Sequence, residues 1–263
     1  MAWVLDLDGV LWLGDQPIPG AAEAVERLRT AGERVLFATN NSFARVGEQE
    51  AKLASFGVPA EGDVVTAAMA AARLVSPGER ALVCGGPGIV EALTGRGVAV
   101  VDSRSHEASD GPVDVVVVGF HRDFDYEGLR RAAGAIRRGA RLLATNDDAT
   151  YPTPDGVIPG GGAIVAAVAY ATGVQPVVAG KPQLPMAEVI HELVGASAAG
   201  GEAGIMVGDR PETDGAFAKT LGYRFGLVLS GVTAAGDLPV SPTPDVVAAD
   251  LAALVTTELT AST

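Results

Sequence analysis

Two aspartates stand one residue apart near the start of the chain, in Trp3-Val4-Leu5-Asp6-Leu7-Asp8-Gly9-Val10-Leu11-Trp12. An apolar run ending in carboxylates and then glycine reads as a buried strand whose carboxyl end carries the charges outward. In an open parallel sheet, such ends border the crevice where ligands bind. Strand side chains alternate, so Asp6 and Asp8 would share a face if the strand ran through both; Gly9 puts its expected end between them. Ionising two carboxylates this close is costly unless a cation sits between them or a proton is shared, and a magnesium-type ion would meet that need. Taken alone, Asp-x-Asp is also a common way for a core strand to end in a turn or helix cap.

Three further strand ends carry polar groups. Arg34-Val35-Leu36-Phe37-Ala38 runs into Thr39-Asn40-Asn41-Ser42, Val177-Val178-Ala179 into Gly180-Lys181-Pro182, and Ile205-Met206-Val207 into Gly208-Asp209-Arg210-Pro211-Glu212-Thr213-Asp214. If the sheet is parallel, all four ends meet at one edge. Each has an ordinary explanation: Thr39 or Ser42 as a helix N-cap, Lys181 as a solvated surface charge, Asp209 and Asp214 as cap and turn residues. Their joint placement at strand ends is much harder to assign to chance.

The elements that must position these groups alternate strand and helix. A helix over 21–31, with Ala22, Val25 and Leu28 on one face, is followed by the strand at 34–38, a helix over 45–56 and a strand at 63–66. Short connections between such elements imply a parallel sheet with right-handed crossovers. The middle of the chain repeats the alternation: strands at 81–84, 98–101, 113–118 and 141–144, helices between them, a polar stretch at 102–111, a loop at 145–162 and a helix over 163–172. After the strand at 177–179 come a helix over 185–194, a glycine-rich loop at 195–204, the strand at 205–207, a helix over 214–221, a strand at 224–229 and a strand-and-helix tail at 245–257. The fold class is therefore α/β, a Rossmann-like core with a parallel sheet and a second α/β domain, and 263 residues suffice for both.

Composition narrows the partners. The formal net charge of -13 argues against nucleic acid or an acidic membrane surface, and a phosphorylated ligand would need a local cation to be admitted. One cysteine, Cys84, excludes an internal disulfide framework and reads as a small buried hydrophobe. No basic segment precedes a cleavable apolar run, and no stretch approaches the roughly twenty apolar residues of a membrane span, so a cytoplasmic setting is expected. Two glycine-rich segments, Cys84-Gly85-Gly86-Pro87-Gly88 and Pro159-Gly160-Gly161-Gly162, lack the lysine of a P-loop and the full dinucleotide fingerprint. They read as a helix entry and a loop.

The four motifs together resemble the haloacid dehalogenase-like hydrolase superfamily. Asp6-Leu7-Asp8-Gly9-Val10 is similar to its first motif, Thr39-Asn40-Asn41-Ser42 to its second, Gly180-Lys181-Pro182 to its third, and Gly208-Asp209 through Thr213-Asp214 to its fourth. Thr-Asn-Asn-Ser with a long α/β insertion resembles the branch of NagD-type sugar phosphatases, 4-nitrophenylphosphatases, and phosphoglycolate and pyridoxal-phosphate phosphatases. The segments 119–126 and 144–152 look like cap sequences of that branch. The resemblance implies a catalytic core at 1–67 plus 177–263 and an inserted C2-type cap at 68–176.

It also implies roles. Asp6 would be the nucleophile, forming an aspartyl-phosphate, and Asp8 the acid that protonates the leaving oxygen and then the base for water. Asp6, the Asp8 main-chain carbonyl and Asp209 would hold magnesium, and Asp214 would hold a metal-bound water or orient Lys181. Lys181, Thr39 and the amides of Asn40 and Asn41 would bind the phosphate. Asn146 and Tyr151, in the loop from 146 to 155, are the candidates for specificity. The expected partner is a small phosphorylated metabolite, of the phosphoglycolate, glycerol phosphate, sugar phosphate, nucleotide or pyridoxal phosphate type, and the protein a monomer or homodimer. A phosphomutase or dehalogenase of the same fold, and a non-catalytic metabolite-binding module, stay open; the dehalogenase has no need of Asp8 or a metal, and the binding module predicts erosion of motifs that are present.

Overall fold

A computed structural model describes residues 1–104, 111–153, 156–195 and 204–261. Most of the polar stretch at 102–111, positions 154 and 155 of the loop expected to set specificity, and residues 196–203 of the glycine-rich loop lie outside the described residues. Contacts group the chain into two units: Met1–Thr39, Gly47–Val65 and Lys181–Thr263 in one, Asn40–Val46 and Thr66–Gly180 in the other.

The first unit opens with β1 (Ala2–Leu5), where Trp3, Val4 and Leu5 have no exposed surface. The strand ends before both aspartates and not between them as Gly9 suggested: regular pairing stops at Leu5, although the Asp6 amide still donates to the Val207 carbonyl at 2.9 Å. A small hairpin, β2 (Trp12–Leu13) and β3 (Gln16–Pro17), follows. Then come α1 (Ala21–Thr30), β4 (Arg34–Thr39), α2 (Val46–Ser55) and β5 (Val64–Thr66). Helix α1 buries Ala21, Ala24, Val25 and Leu28, the i, i+3, i+4, i+7 stripe of a helix laid on a core.

The second unit starts with α3 (Ala67–Arg73), capped by Thr66, whose hydroxyl accepts from the Met69 amide. It continues through β6 (Arg80–Cys84), α4 (Pro87–Gly95), β7 (Ala99–Asp102), β8 (Val115–Val118), α5 (Tyr126–Arg137) and β9 (Arg141–Ala144). The expected loop at 145–162 contains a hairpin instead, β10 (Thr150–Thr153) and β11 (Gly156–Pro159), before α6 (Gly161–Thr172) and β12 (Val177–Val178). Five parallel strands in the order β12-β9-β8-β6-β7 form its sheet. Its core is built from the all-valine β8, Leu82, Leu142, Ile136 and Val165. Each such side chain, removed from water, stabilises the fold by about 1.5–3 kcal/mol.

The chain then returns to the first unit with α7 (Leu184–Val194), β13 (Ile205–Gly208), a π-turn at Pro211–Gly215, α8 (Ala216–Leu221), β14 (Arg224–Val228), β15 (Val246–Ala248) and α9 (Leu251–Ala261). The core sheet runs β15-β14-β13-β1-β4-β5. Strand β1 lies between β13 and β4, parallel to both, with Leu5 level with Val207 on one side and Phe37 on the other. This register brings the carboxyl ends of the three strands, and the polar residues after them, to one edge, as the α/β expectation requires. One strand departs from it. The strand before Lys181 pairs with β9 in the sheet of the second unit, so Lys181 arrives at the first unit from a loop and not from a fourth end of the core sheet. Among the described residues no helix is long and apolar enough to cross a membrane.

Candidate active site

Three carboxylates and an ammonium converge at the edge of the core sheet. Asp6 follows β1, and Asp209 follows β13, its strand neighbour. Asp214 is brought back toward that edge by the π-turn, at whose start its amide donates to the Arg210 carbonyl at 2.7 Å. Each of the three places an oxygen within 4.8 Å of the others. Lys181 Nζ donates to Asp6 Oδ1 at 2.7 Å and to Asp214 Oδ1 at 2.8 Å. With 2% of its side chain exposed, Lys181 is no solvated surface charge.

The electrostatics follow from burial. Burial pushes the Asp6 carboxyl well above the usual carboxylate range; Lys181 opposes this, while Asp214 and Asp209 reinforce it. Burial also works against the Lys181 ammonium, yet Asp214 and Asp6 outweigh it and raise its pKa, so the lysine stays charged. Asp209 is pushed up to about 6, by burial first and by Asp214 second, against the Val232 amide.

Asp209 is held from its far side by a segment that the sequence reading passed over. Its Oδ2 accepts from the Val232 amide at 2.6 Å, its carbonyl accepts from Thr233 Oγ1 at 2.6 Å, and Ser230 Oγ donates to the Gly9 carbonyl at 2.7 Å. The signal was available: Ser230-Gly231-Val232-Thr233 follows β14, one more strand of the same parallel sheet. Glycine is required here for space. A Cβ at Gly9 or Gly231 would overlap the Asp209 carboxylate, and one at Gly208 would overlap that of Asp214; Gly9 also has φ +81°, which other residues rarely adopt.

The residues fit a divalent cation. Asp209 Oδ1 is buried and has no hydrogen-bond partner among the described residues, which is costly for a carboxylate oxygen unless something else satisfies it. Three carboxylates face one ammonium here, leaving negative charge uncompensated. Hard oxygen donors suit magnesium. Asp214 is already committed, through Oδ1 to Lys181 and through Oδ2 to the Arg210 amide at 3.1 Å, so it serves better as support than as ligand.

Two more expected residues complete the first unit's part. Asp8, half-buried, accepts at Oδ1 from Trp12 Nε1 at 2.8 Å. Thr39 ends β4 and is buried.

The other expected residues group with the second unit. The chain after Thr39 is pinned there: Asn146 Nδ2 donates to the Asn40 carbonyl at 2.8 Å, Asn40 Nδ2 donates to Asp148 Oδ2 at 3.1 Å, and the Ser42 and Thr145 hydroxyls share a buried hydrogen bond of 2.8 Å. Asn41 Oδ1 accepts from the Phe43 and Ala44 amides at 3.0 and 3.2 Å, an Asx-type turn. Tyr151 stacks on Phe120 with centroids 4.8 Å apart and planes 7° from parallel.

Comparison with known proteins places the arrangement. A family model described as haloacid dehalogenase-like hydrolase matches residues 3–99, and a second, HAD-hydrolase-like model matches residues 178–254. An acid sugar phosphatase of Staphylococcus saprophyticus is 39% identical over 186 residues, which cover 69% of this chain and 69% of that one. The D-glycerol 3-phosphate phosphatase of Mycobacterium tuberculosis is 39% identical over 241 residues, 89% of this chain but 64% of that protein's length. The crystal structure of the Mycobacterium tuberculosis glycerol phosphate phosphatase in complex with magnesium superposes with a TM-score of 0.84 at 36% identity, covering 96% of this chain and 75% of that one.

Proposed function

The chain belongs to the haloacid dehalogenase-like hydrolases, and we propose that within that family it is a magnesium-dependent phosphatase of small phosphomonoesters. The observation that carries this reading is the buried Lys181 seated on Asp6 beside Asp209, whose Oδ1 has no protein partner among the described residues. A site built for a neutral or cationic ligand has no use for a buried ammonium at the end of a carboxylate strand. A phosphoryl group uses all of it.

Asp6 attacks phosphorus through the oxygen that does not receive the Lys181 hydrogen bond, forming the Asp6 acyl phosphate as the leaving alkoxide departs. Asp8 gives its proton to that alkoxide and later takes one from the water that hydrolyses the acyl phosphate, returning both residues to their first state. Lys181, Thr39 and the amides of Asn40 and Asn41 hold the phosphoryl oxygens, and the charge of Lys181 opposes the charge developing on them. Asp214 keeps the ammonium in place. Asp6, Asp209 and the Asp8 carbonyl would hold magnesium, which when bound neutralises charge on the phosphoryl group.

The same reading makes 1–67 with 177–263 the catalytic core and 68–176 a cap that selects the leaving group, with Tyr151 and Asn146 among its specificity positions. The substrate is a small phosphorylated metabolite of the sugar phosphate or glycerol phosphate kind on which the relatives act by name. We place the protein in the cytoplasm, as a monomer or homodimer without nucleic-acid partners; the net charge of -13 supports the last of these. The test is hydrolysis of 4-nitrophenyl phosphate with magnesium, with chelator, and by Asp6→Asn. Turnover that needs magnesium and is abolished in the variant is expected; undiminished turnover by the variant would remove Asp6 as nucleophile.

A further inference from the structure

We propose that Trp12 is a positioning residue for Asp8, fixing the orientation of the carboxyl group that serves the leaving group. The inference rests on the phosphatase reading above and adds to it a residue that a sequence reader assigns to the core, since an aromatic four positions beyond a strand-end aspartate ordinarily packs and does nothing more.

The backbone delivers the indole to the carboxylate. Amides of Val10, Leu11 and Trp12 all turn back on the Leu7 carbonyl, at 3.3, 2.8 and 3.3 Å, and the Gly9 amide donates to the Trp12 carbonyl at 2.7 Å. Asp8 and Trp12 thereby form an isolated bridge, and Trp12 Nε1 donates to Asp8 Oδ1 at 2.8 Å. An indole N–H is a donor only. The indole therefore takes up Oδ1 as an acceptor and fixes the orientation of the carboxyl group, leaving Oδ2 as the oxygen that it does not engage.

The ring is itself fixed. Trp12 is 1% exposed and meets Phe56 at 5.8 Å between centroids. Lys52 Nζ stands 4.3 Å from the indole centroid, tethered by donation to the Gly14 carbonyl at 2.8 Å. A cation over the face of the ring draws electron density from it and makes its N–H a stronger donor. Trp3 is the internal control: it is buried too, but its Nε1 has no partner among the described residues.

Leaving-group chemistry separates this role from packing. Glycerol phosphate must expel an alkoxide and needs the proton; 4-nitrophenolate departs with much less need of one. Trp12→Phe keeps the ring and loses the donor. It is expected to lower kcat/KM for glycerol phosphate about tenfold more than for 4-nitrophenyl phosphate, because a misplaced general acid forfeits part of its usual 10²–10⁴-fold effect. Equal losses on both esters would overturn the proposal. A second measurement needs no turnover: of the two indole N–H resonances in a nitrogen-15 correlation spectrum, that of Trp12 is expected to move upfield in Asp8→Leu while that of Trp3 stays and reports an intact fold. A stationary Trp12 resonance beside an intact Trp3 signal would also overturn it. If neither ester is hydrolysed by the wild type, the phosphatase reading fails, and the spectrum still decides whether Trp12 holds Asp8.

Discussion

Lys181 Nζ and Asp214 Oδ1 lie 2.8 Å apart with 2% and 1% of their side chains exposed, one from the loop before α7 and the other from the π-turn after β13. Asp214 is thus the counter-charge that lets a lysine be buried beside the proposed nucleophile. Burying an ion pair rarely adds much stability in itself, but removing one partner leaves the other charged and dry.

Asp214→Ala should therefore cost about 3–5 kcal/mol in urea unfolding. The double variant Lys181→Met/Asp214→Leu should recover most of that loss, and should have no activity. A single variant as stable as the wild type would mean that Asp6 alone compensates the ammonium.

Magnesium should raise the melting temperature of the wild type, since an ion that binds only the folded state at a hundred times its Kd stabilises by about 2.7 kcal/mol. Asp209→Asn removes the oxygen that has no protein partner among the described residues. Its melting temperature is expected to be insensitive to magnesium in differential scanning calorimetry.

Asn146 and Tyr151 should separate on substitution. The Asn146 amide holds the Asn40 carbonyl, whereas Tyr151 presents a ring stacked on Phe120. Asn146→Ala should lower kcat/KM by a similar factor, about tenfold, across a panel of phosphate esters, as loss of a positioning contact does. Tyr151→Ala should reorder the panel. A reordering by Asn146→Ala would put Asn146 against the leaving group after all.

Cys84 should be inert in the native protein. It has no exposed surface, and burial pushes its thiol up to about 11. An unfolded thiol loses its proton near pH 8.5, so between that value and about 11 only the unfolded state is ionised. The sign is then settled: this group leaves stability unchanged below about pH 8.5 and lowers it as pH rises through the window. A thiol reagent at pH 8 should label Cys84 only in denaturant, and urea midpoints should fall between pH 8.5 and 11 more in the wild type than in Cys84→Ala.

Much of this arrangement was legible in the residues. Apolar runs of strand length alternating with helix-period stripes are local patterns, and they dictate parallel strands with right-handed crossovers. From those patterns came the α/β class, core strands expected to end between Asp6 and Asp8, at Ala38 and at Val207 where the structure ends them at Leu5, Thr39 and Gly208, and the polar groups after them, including Asp6, Asp209 and Asp214. What a short apolar run does not reveal is the sheet that receives it. The two residues of β12 carry no mark that they pair with β9, and so the route of Lys181 was misread.

The hairpin at 150–159 hid behind proline and glycine, which read equally well as loop. The same limit hid the contacts that finish the site. Lys181 and Asp6 are 175 positions apart, Val232 and Asp209 are 23 apart, and even Trp12 and Asp8, four apart, meet only because a turn folds the indole back. By itself the sequence determined which groups reach the sheet edge, because side-chain type and period are local properties. Only the tertiary structure decided which groups touch, because a hydrogen bond depends on the position of a partner that the local pattern does not encode.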